Sequence, residues 1–113
     1  MIAPPIIEVP LEPTTFRFCC TGGGTIERYV ALRAGRYLLR VGQKATGCSE
    51  AVIPFVTSST DERISTGVAF TAAWATTLVD VPHDQRARLR VFVEGGLRCC
   101  GTTTIDKIEL VRL

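Results

Sequence analysis

The sequence predicts an all-β protein, about eight short antiparallel strands folded as a β-sandwich behind an extended N-terminal arm. Three observations carry this expectation. β-Branched and aromatic runs recur between clusters of Gly, Ser, Asp and Pro, the punctuation of strands and turns. Several runs alternate apolar and polar residues with period two, and no stretch carries apolar residues at helical spacing. A length of 113 residues with 46% hydrophobic and 21% charged content suits one domain with one core.

Residues 1–13 form the arm and residues 14–113 the sandwich. Pro4, Pro5, Pro10 and Pro13 forbid a helix and remove ladder donors, so the arm is expected to be extended or polyproline-like. Ile2, Ile6, Ile7, Val9 and Leu11 make it apolar, and an apolar extended segment needs a surface. That surface is the protein's own flank or a neighbouring subunit. The expectation favours the neighbour.

Thr14 to Cys19 reads as the first strand, and Thr21-Gly-Gly-Gly-Thr25 as a flexible turn. Ile26 to Arg33 follows, then Ala34-Gly35 as a tight connection. Arg36 to Gly42 alternates, with Tyr37, Leu39 and Val41 on one face and Arg36, Leu38 and Arg40 on the other. Gln43 to Glu50 reads as a polar loop. Ala51 to Val56 is a strand that Pro54 assigns to an edge or a bulge. Arg63 to Thr71 and Trp74 to Val81 come next, and Pro82 to Gln85 turns the chain. Arg86 to Glu94 sets Ala87, Leu89, Val91 and Val93 against Arg86, Arg88, Arg90 and Glu94, with Phe92 on the arginine-bearing face. Gly95-Gly96 turns again, and Thr102 to Leu113 closes the domain.

Composition excludes some classes. No apolar run reaches the ~18–20 residues of a membrane-crossing helix. A net charge of +2 does not announce a polyanion partner, and aromatics for base stacking are scarce, so nucleic acid is not an expected partner. The N-terminus lacks the basic and continuous apolar regions of a signal peptide, which points to folding in a cytoplasm. Excision from a secreted protein would instead place the domain outside the cell.

Five cysteines occur as Cys19-Cys20, Cys48 and Cys99-Cys100. Their number forbids complete internal pairing, and adjacent cysteines lack zinc-site spacing. Three readings stay open: one buried and one looser thiol per pair, which is preferred, a disulfide across the sandwich between the pairs, or a thiolate metal site.

The run Leu32-Arg-Ala-Gly-Arg-Tyr-Leu-Leu-Arg-Val41 resembles a strand pair of galactose-binding-like jelly rolls. Phe70-Thr-Ala-Ala-Trp74, Thr77-Leu-Val-Asp-Val-Pro82, Arg88-Leu-Arg-Val-Phe-Val93 and Thr104-Ile-Asp-Lys-Ile-Glu-Leu-Val111 follow the order seen in carbohydrate-binding modules of that superfamily. The resemblance spans residues 14 to 113 and implies a jelly roll. It also implies sugar binding, with Trp74 and Phe92 as candidate stacking platforms, although a core position is the plainer expectation for Trp74. Sugar hydroxyls need converging polar side chains, yet Asn is absent and Gln occurs only at 43 and 85.

Arg86, Arg88 and Arg90, joined by Arg40 from another strand, offer a basic stripe for an acidic partner; the plain alternative is a solvated face paired with Glu. No nucleophile has an identifiable base, and the acidic residues around Asp106 do not make a calcium set. Catalytic residues, metal and cofactors are therefore expected to be none. The sequence points to a non-enzymatic assembly protein, a small viral (phage) virion component such as a capsid decoration or tail accessory subunit. It would associate with itself or a larger capsid or tail assembly, through Ile2, Ile6, Ile7, Val9, Leu11 and the arginine stripe. The alternative is a carbohydrate-binding module.

Overall fold

The structure, a computed structural model, describes residues 6–19, 21–47, 52–71, 73–94 and 100–113. Nine strands account for most of them: β1 (Ile6–Glu8), β2 (Thr14–Cys19), β3 (Thr21–Leu32), β4 (Gly35–Gly47), β5 (Val52–Thr57), β6 (Ser65–Phe70), β7 (Trp74–Val81), β8 (Gln85–Glu94) and β9 (Cys100–Arg112). All pairings are antiparallel, and no helix occurs among the described residues.

The strands nest as a rolled-up hairpin. β2 pairs β9, β3 pairs β8 and β4 pairs β7, while β5 and β6 meet through the Thr57–Arg63 bridge at the hairpin's tip. Rolling adds β4–β9 and β5–β8 contacts, which is a jelly roll. One sheet runs β5-β8-β3; the other runs β2-β9-β4-β7-β6, with β1 pairing β9 beyond β2. The edge position expected from Pro54 is observed, since β5 ends its sheet.

Alternation builds the core. Tyr37, Leu39 and Val41 from β4 face Leu89, Val91 and Val93 from β8 across the layers, with Val52, Val79, Ile105 and Leu110 completing the cluster. Ser65 is buried too, and its Oγ accepts the Val56 amide at 3.0 Å.

Two stretches differ from the sequence expectation. The glycine run after Cys20 is strand, not turn: Gly22 pairs Phe18, then Gly23 and Gly24 pair Glu94 and Val93 as β3 crosses from one sheet to the other. The crossing needs glycine. Gly23 has φ +116, and a Cβ there would collide with the Val93 carbonyl oxygen, while one on Gly24 would strike the Phe16 ring. The expected loop from Gln43 continues as β4 to Gly47, paired to β9.

The arm folds onto its own domain. Ile6, Ile7 and Glu8 pair Val111, Leu110 and Glu109, and the Val9 amide donates to the Ile108 carbonyl at 2.9 Å. Val9 is a core residue, and Ile7 and Leu11 pack against the core. The flank, not a neighbour, is thus the surface for these three side chains, since β1 and the Val9 amide pair the β9 edge that β2 leaves open. Ile6 remains 55% exposed, and Ile2 lies outside the described residues. Val9→Ala therefore should destabilise the domain by about 0.5–2 kcal/mol, the cost of emptying a small core site. Urea denaturation checks this, and an unchanged midpoint would mean that the arm is not seated.

Candidate functional site

The outer face of the three-stranded sheet is built from residues that alternate with the core. Cross-strand register lines them up in rows: Ile53–Phe92–Thr25, then Phe55–Arg90–Glu27, then Thr57–Arg88–Tyr29, and finally Arg86–Ala31. Arg86, Arg88 and Arg90 therefore do share one face, as the alternation predicted. Arg40 does not join them. It lies on the opposite side of the sandwich, because β4 belongs to the other sheet.

Among the described residues, Arg86 and Arg90 of this face lie over aromatic rings, and Arg88 does not. The Arg86 guanidinium lies 5.3 Å from the Tyr29 ring centre, and Arg90 lies 5.4 and 5.8 Å from Phe55 and Phe92. The Arg63 guanidinium lies 5.2 Å from the Phe55 ring centre. The Phe55 and Phe92 rings are tilted at 58° with centres 6.3 Å apart. Each contact sets a cation over an electron-rich ring face, the geometry in which arginine is held with least loss of charge exposure.

Two carboxylates answer the arginines. Arg88 Nη2 donates to Glu27 Oε2 at 2.7 Å, while Asp61 Oδ1 lies 3.8 Å from both Arg88 Nη1 and Arg90 Nη2. Asp61 reaches them from a tight loop in which it adopts φ 66, a left-handed conformation that Asp tolerates. Ser58 Oγ closes that loop by accepting the amides of Thr60 and Glu62. The Nε atoms of Arg88 and Arg90 are buried without a hydrogen-bond partner. Tyr29, Ser58, Ser59, Asp61, Arg86 and Arg88 line an open cavity of about 500 Å³ at this end of the face.

The Arg88 hydrogen bond and charge hold the Glu27 carboxyl below its ordinary value of 4.5, and the Arg88 guanidinium is correspondingly raised. A lowered carboxyl contributes stability above its unfolded value and loses it as pH falls through the folded one. Carboxyl NMR titration of Glu27 should therefore give a midpoint below 4.5, moving back toward it in Arg88→Gln. Equal midpoints in the two proteins would show that the pair is not formed.

Trp74 does not enter the core as expected. It points outward from β7, half-buried, and the Arg40 guanidinium covers its ring at 4.0 Å. Arg40 also bonds Glu109 at 2.7 Å, so the cation is held between a ring and a carboxylate. Trp74 lines an open cleft of about 980 Å³ with Glu8, Gln43, Lys44, Asp106 and Lys107. Phe92 is half-buried on the arginine face, as its position in the alternation implied.

Cys19 and Cys100 are directly opposite in the β2–β9 ladder and are joined by a disulfide. A disulfide between the two Cys pairs, one of the readings left open by the sequence, thus forms, but it links neighbouring strands of one sheet rather than the two layers, and both residues are exposed. Cys20, Cys48 and Cys99 lie outside the described residues. Among the described residues no group of three or more His, Cys, Asp or Glu is placed to hold a metal.

Sequence reading missed Phe55, Tyr29 and Arg63 as members of the arginine face. Phe55 was legible by alternation with Pro54, but its meeting with Phe92 and Arg90 required the β5–β8 register. No family model matches the chain, and no curated protein or solved structure is detectably similar to it.

Proposed function

We propose that this chain is a non-enzymatic assembly subunit that docks onto an acidic protein surface through the outer face of its three-stranded sheet. The observation that carries the reading is the packing of Arg86, Arg90 and Arg63 over Tyr29, Phe55 and Phe92 on a sheet face that no other described element covers. Tyr, Phe and Arg are the residue types enriched at interface centres, since rings lose little entropy on contact and guanidinium groups offer several donors. Four guanidinium groups face two bonded carboxylates, with Glu94 further along the strand, so the centre of the face is net positive. An incoming carboxylate would meet the guanidinium groups of the exposed Arg86 and Arg63, which offer charge-assisted donors to it.

A small virion component, a capsid decoration or tail accessory subunit, is the setting we assign to this docking. The scarcity of amide side chains supports a protein partner over a small polar ligand. The kinship with galactose-binding-like jelly rolls stays a proposal resting on the motifs and on the jelly-roll order. Mass spectrometry of purified particles from the source should find the chain at stoichiometric level. Arg90→Glu combined with Phe92→Ala should reduce incorporation at least about 30-fold, the scale of a lost interface anchor, while the thermal transition stays cooperative. Undiminished incorporation would remove this reading.

One observation favours a second reading, a carbohydrate-binding module: the cleft beside Trp74 combines a ring with Glu8, Gln43 and Asp106. On that reading a glycan array gives a hit that Trp74→Ala abolishes. Failure of the array to show any ligand removes it.

A further inference from the structure

The five-stranded sheet carries an apolar row on its outer face that runs straight across four strands. Ile6 of β1 pairs Val111 of β9, Val111 pairs Leu38 of β4, and Leu38 pairs Leu78 of β7. Paired residues share a face, and this one is opposite the core face carrying Tyr37, Leu39, Val79 and Leu110. Ile6 is 55% and Leu78 43% exposed, with Val111 and Leu38 half-buried between them. On one side the row is bordered by the exposed Arg36–Asp80 pair at 2.9 Å. On the other side lies a second row, Glu8–Glu109–Arg40–Thr76.

We propose that this face binds a second copy of the chain, about a two-fold axis that runs along the strands between β9 and β4. Such an axis keeps each row in place and reverses the strand order. Ile6 then lies on Leu78 of the second copy, and Val111 on its Leu38, so every aliphatic side chain meets another. In the adjoining row the reversal sets Arg40 on Glu109 of the second copy and Glu109 on its Arg40. The Glu109 carboxylate, bonded to Arg40 and only 6% exposed, stays within its own copy, and Arg40 is the member of the pair that faces the second copy.

The acid stands on the β9 side of the axis and the base on the β4 side at the same level. That chemistry is complementary to itself under this rotation, which is what an isologous contact requires. The Arg36–Asp80 pair supplies a polar rim, the usual border of a specific interface.

Strands ~4.8 Å apart and same-face residues ~7 Å apart make four strands by three rows a patch roughly 20 Å on a side. That is roughly half of a standard contact, so the dimer is weak and reversible. The inference is independent of the arginine face, which lies on the opposite side of the sandwich.

Sedimentation velocity on the full chain over a concentration series tests it. The unmodified chain should pass from monomer to dimer. Ile6→Asp and Leu78→Lys should each weaken the dimer at least about tenfold, with near-UV circular dichroism unchanged because both side chains are exposed. The double variant should regain dimerisation to within about threefold of the unmodified chain. Within one chain the two positions are three strands apart, roughly 14 Å, so restoration reports a contact between copies. A monomer at every concentration, single variants that dimerise normally, or a double variant weaker than either single one would each overturn the proposal. Arg90→Glu leaves the dimer unchanged, so failure of the partner-docking reading is seen separately.

Discussion

The pairing of β9 is the constraint on which the rest of the structure depends. Its thirteen residues hold β4 along one edge and both β2 and β1 along the other. Up to Ile105 the inward positions are odd-numbered, Thr103 and Ile105; from Ile108 they are even-numbered, Ile108 and Leu110. A regular strand would turn one of these two sets out to water. The bulge resolves the conflict: Gln43 pairs Ile105 while Gly42 pairs Lys107, which leaves Asp106 as the extra residue. Gly42 lies beside it, where an added Cβ would come within 2.6 Å of Asp106 Oδ1 and displace that side chain. The same shift decides which β9 side chains face outward beyond it, namely Lys107, Glu109 and Val111. The core and the outer face of the larger sheet are therefore set by one irregularity.

Much of the fold was legible because alternation is local. The bounds of Thr14–Cys19 and Trp74–Val81 follow directly from it, and so do the faces of the β4 and β8 residues. What the sequence concealed depends on partners distant along the chain. The glycines at 22–24 carry the composition of a turn, and only the approach of Phe16 and Val93 shows why a crossing strand needs them. The prolines of the arm exclude a helix but say nothing of the free β9 edge that β1 and Val9 occupy. Likewise, Leu38 was visibly outside the core, yet its alignment with Ile6, Val111 and Leu78 is a matter of register among four strands. The cysteines show the same limit: a disulfide between the two pairs was among the readings of the sequence, but which of their thiols meet depends on the β2–β9 ladder.

Arg40 shows how a face can be both stabilised and kept available. Its stem crosses the sheet, its guanidinium lies on Trp74, and one edge bonds the nearly buried Glu109. Glu8 stands directly opposite Glu109 in the β1–β9 ladder, a like-charge neighbour that raises the cost of leaving Glu109 without a cation. Lys107, 4.0 Å from Glu109, assists only weakly at that distance. Arg40 thereby ties the position of Trp74 to the electrostatics of the β1 edge. Any ligand or partner that draws Arg40 away must supply another cation for Glu109.

The two outer faces look in opposite directions, since the sheets are the two layers of one sandwich. Two copies joined through their larger sheets consequently present their arginine faces outward, at opposite ends of the pair. Such a pair cannot grip one flat partner surface twice, so it gains no avidity from a single wall of sites. On the proposed docking it would instead bridge two separate acidic surfaces, one for each copy. A weak dimer contact suffices for that role, because partners already fixed in a larger assembly raise the effective concentration of the copies they carry. On the two proposals together, the modest apolar row would supply a reversible link between copies, and the arginines over their rings a firmer anchor on the partner.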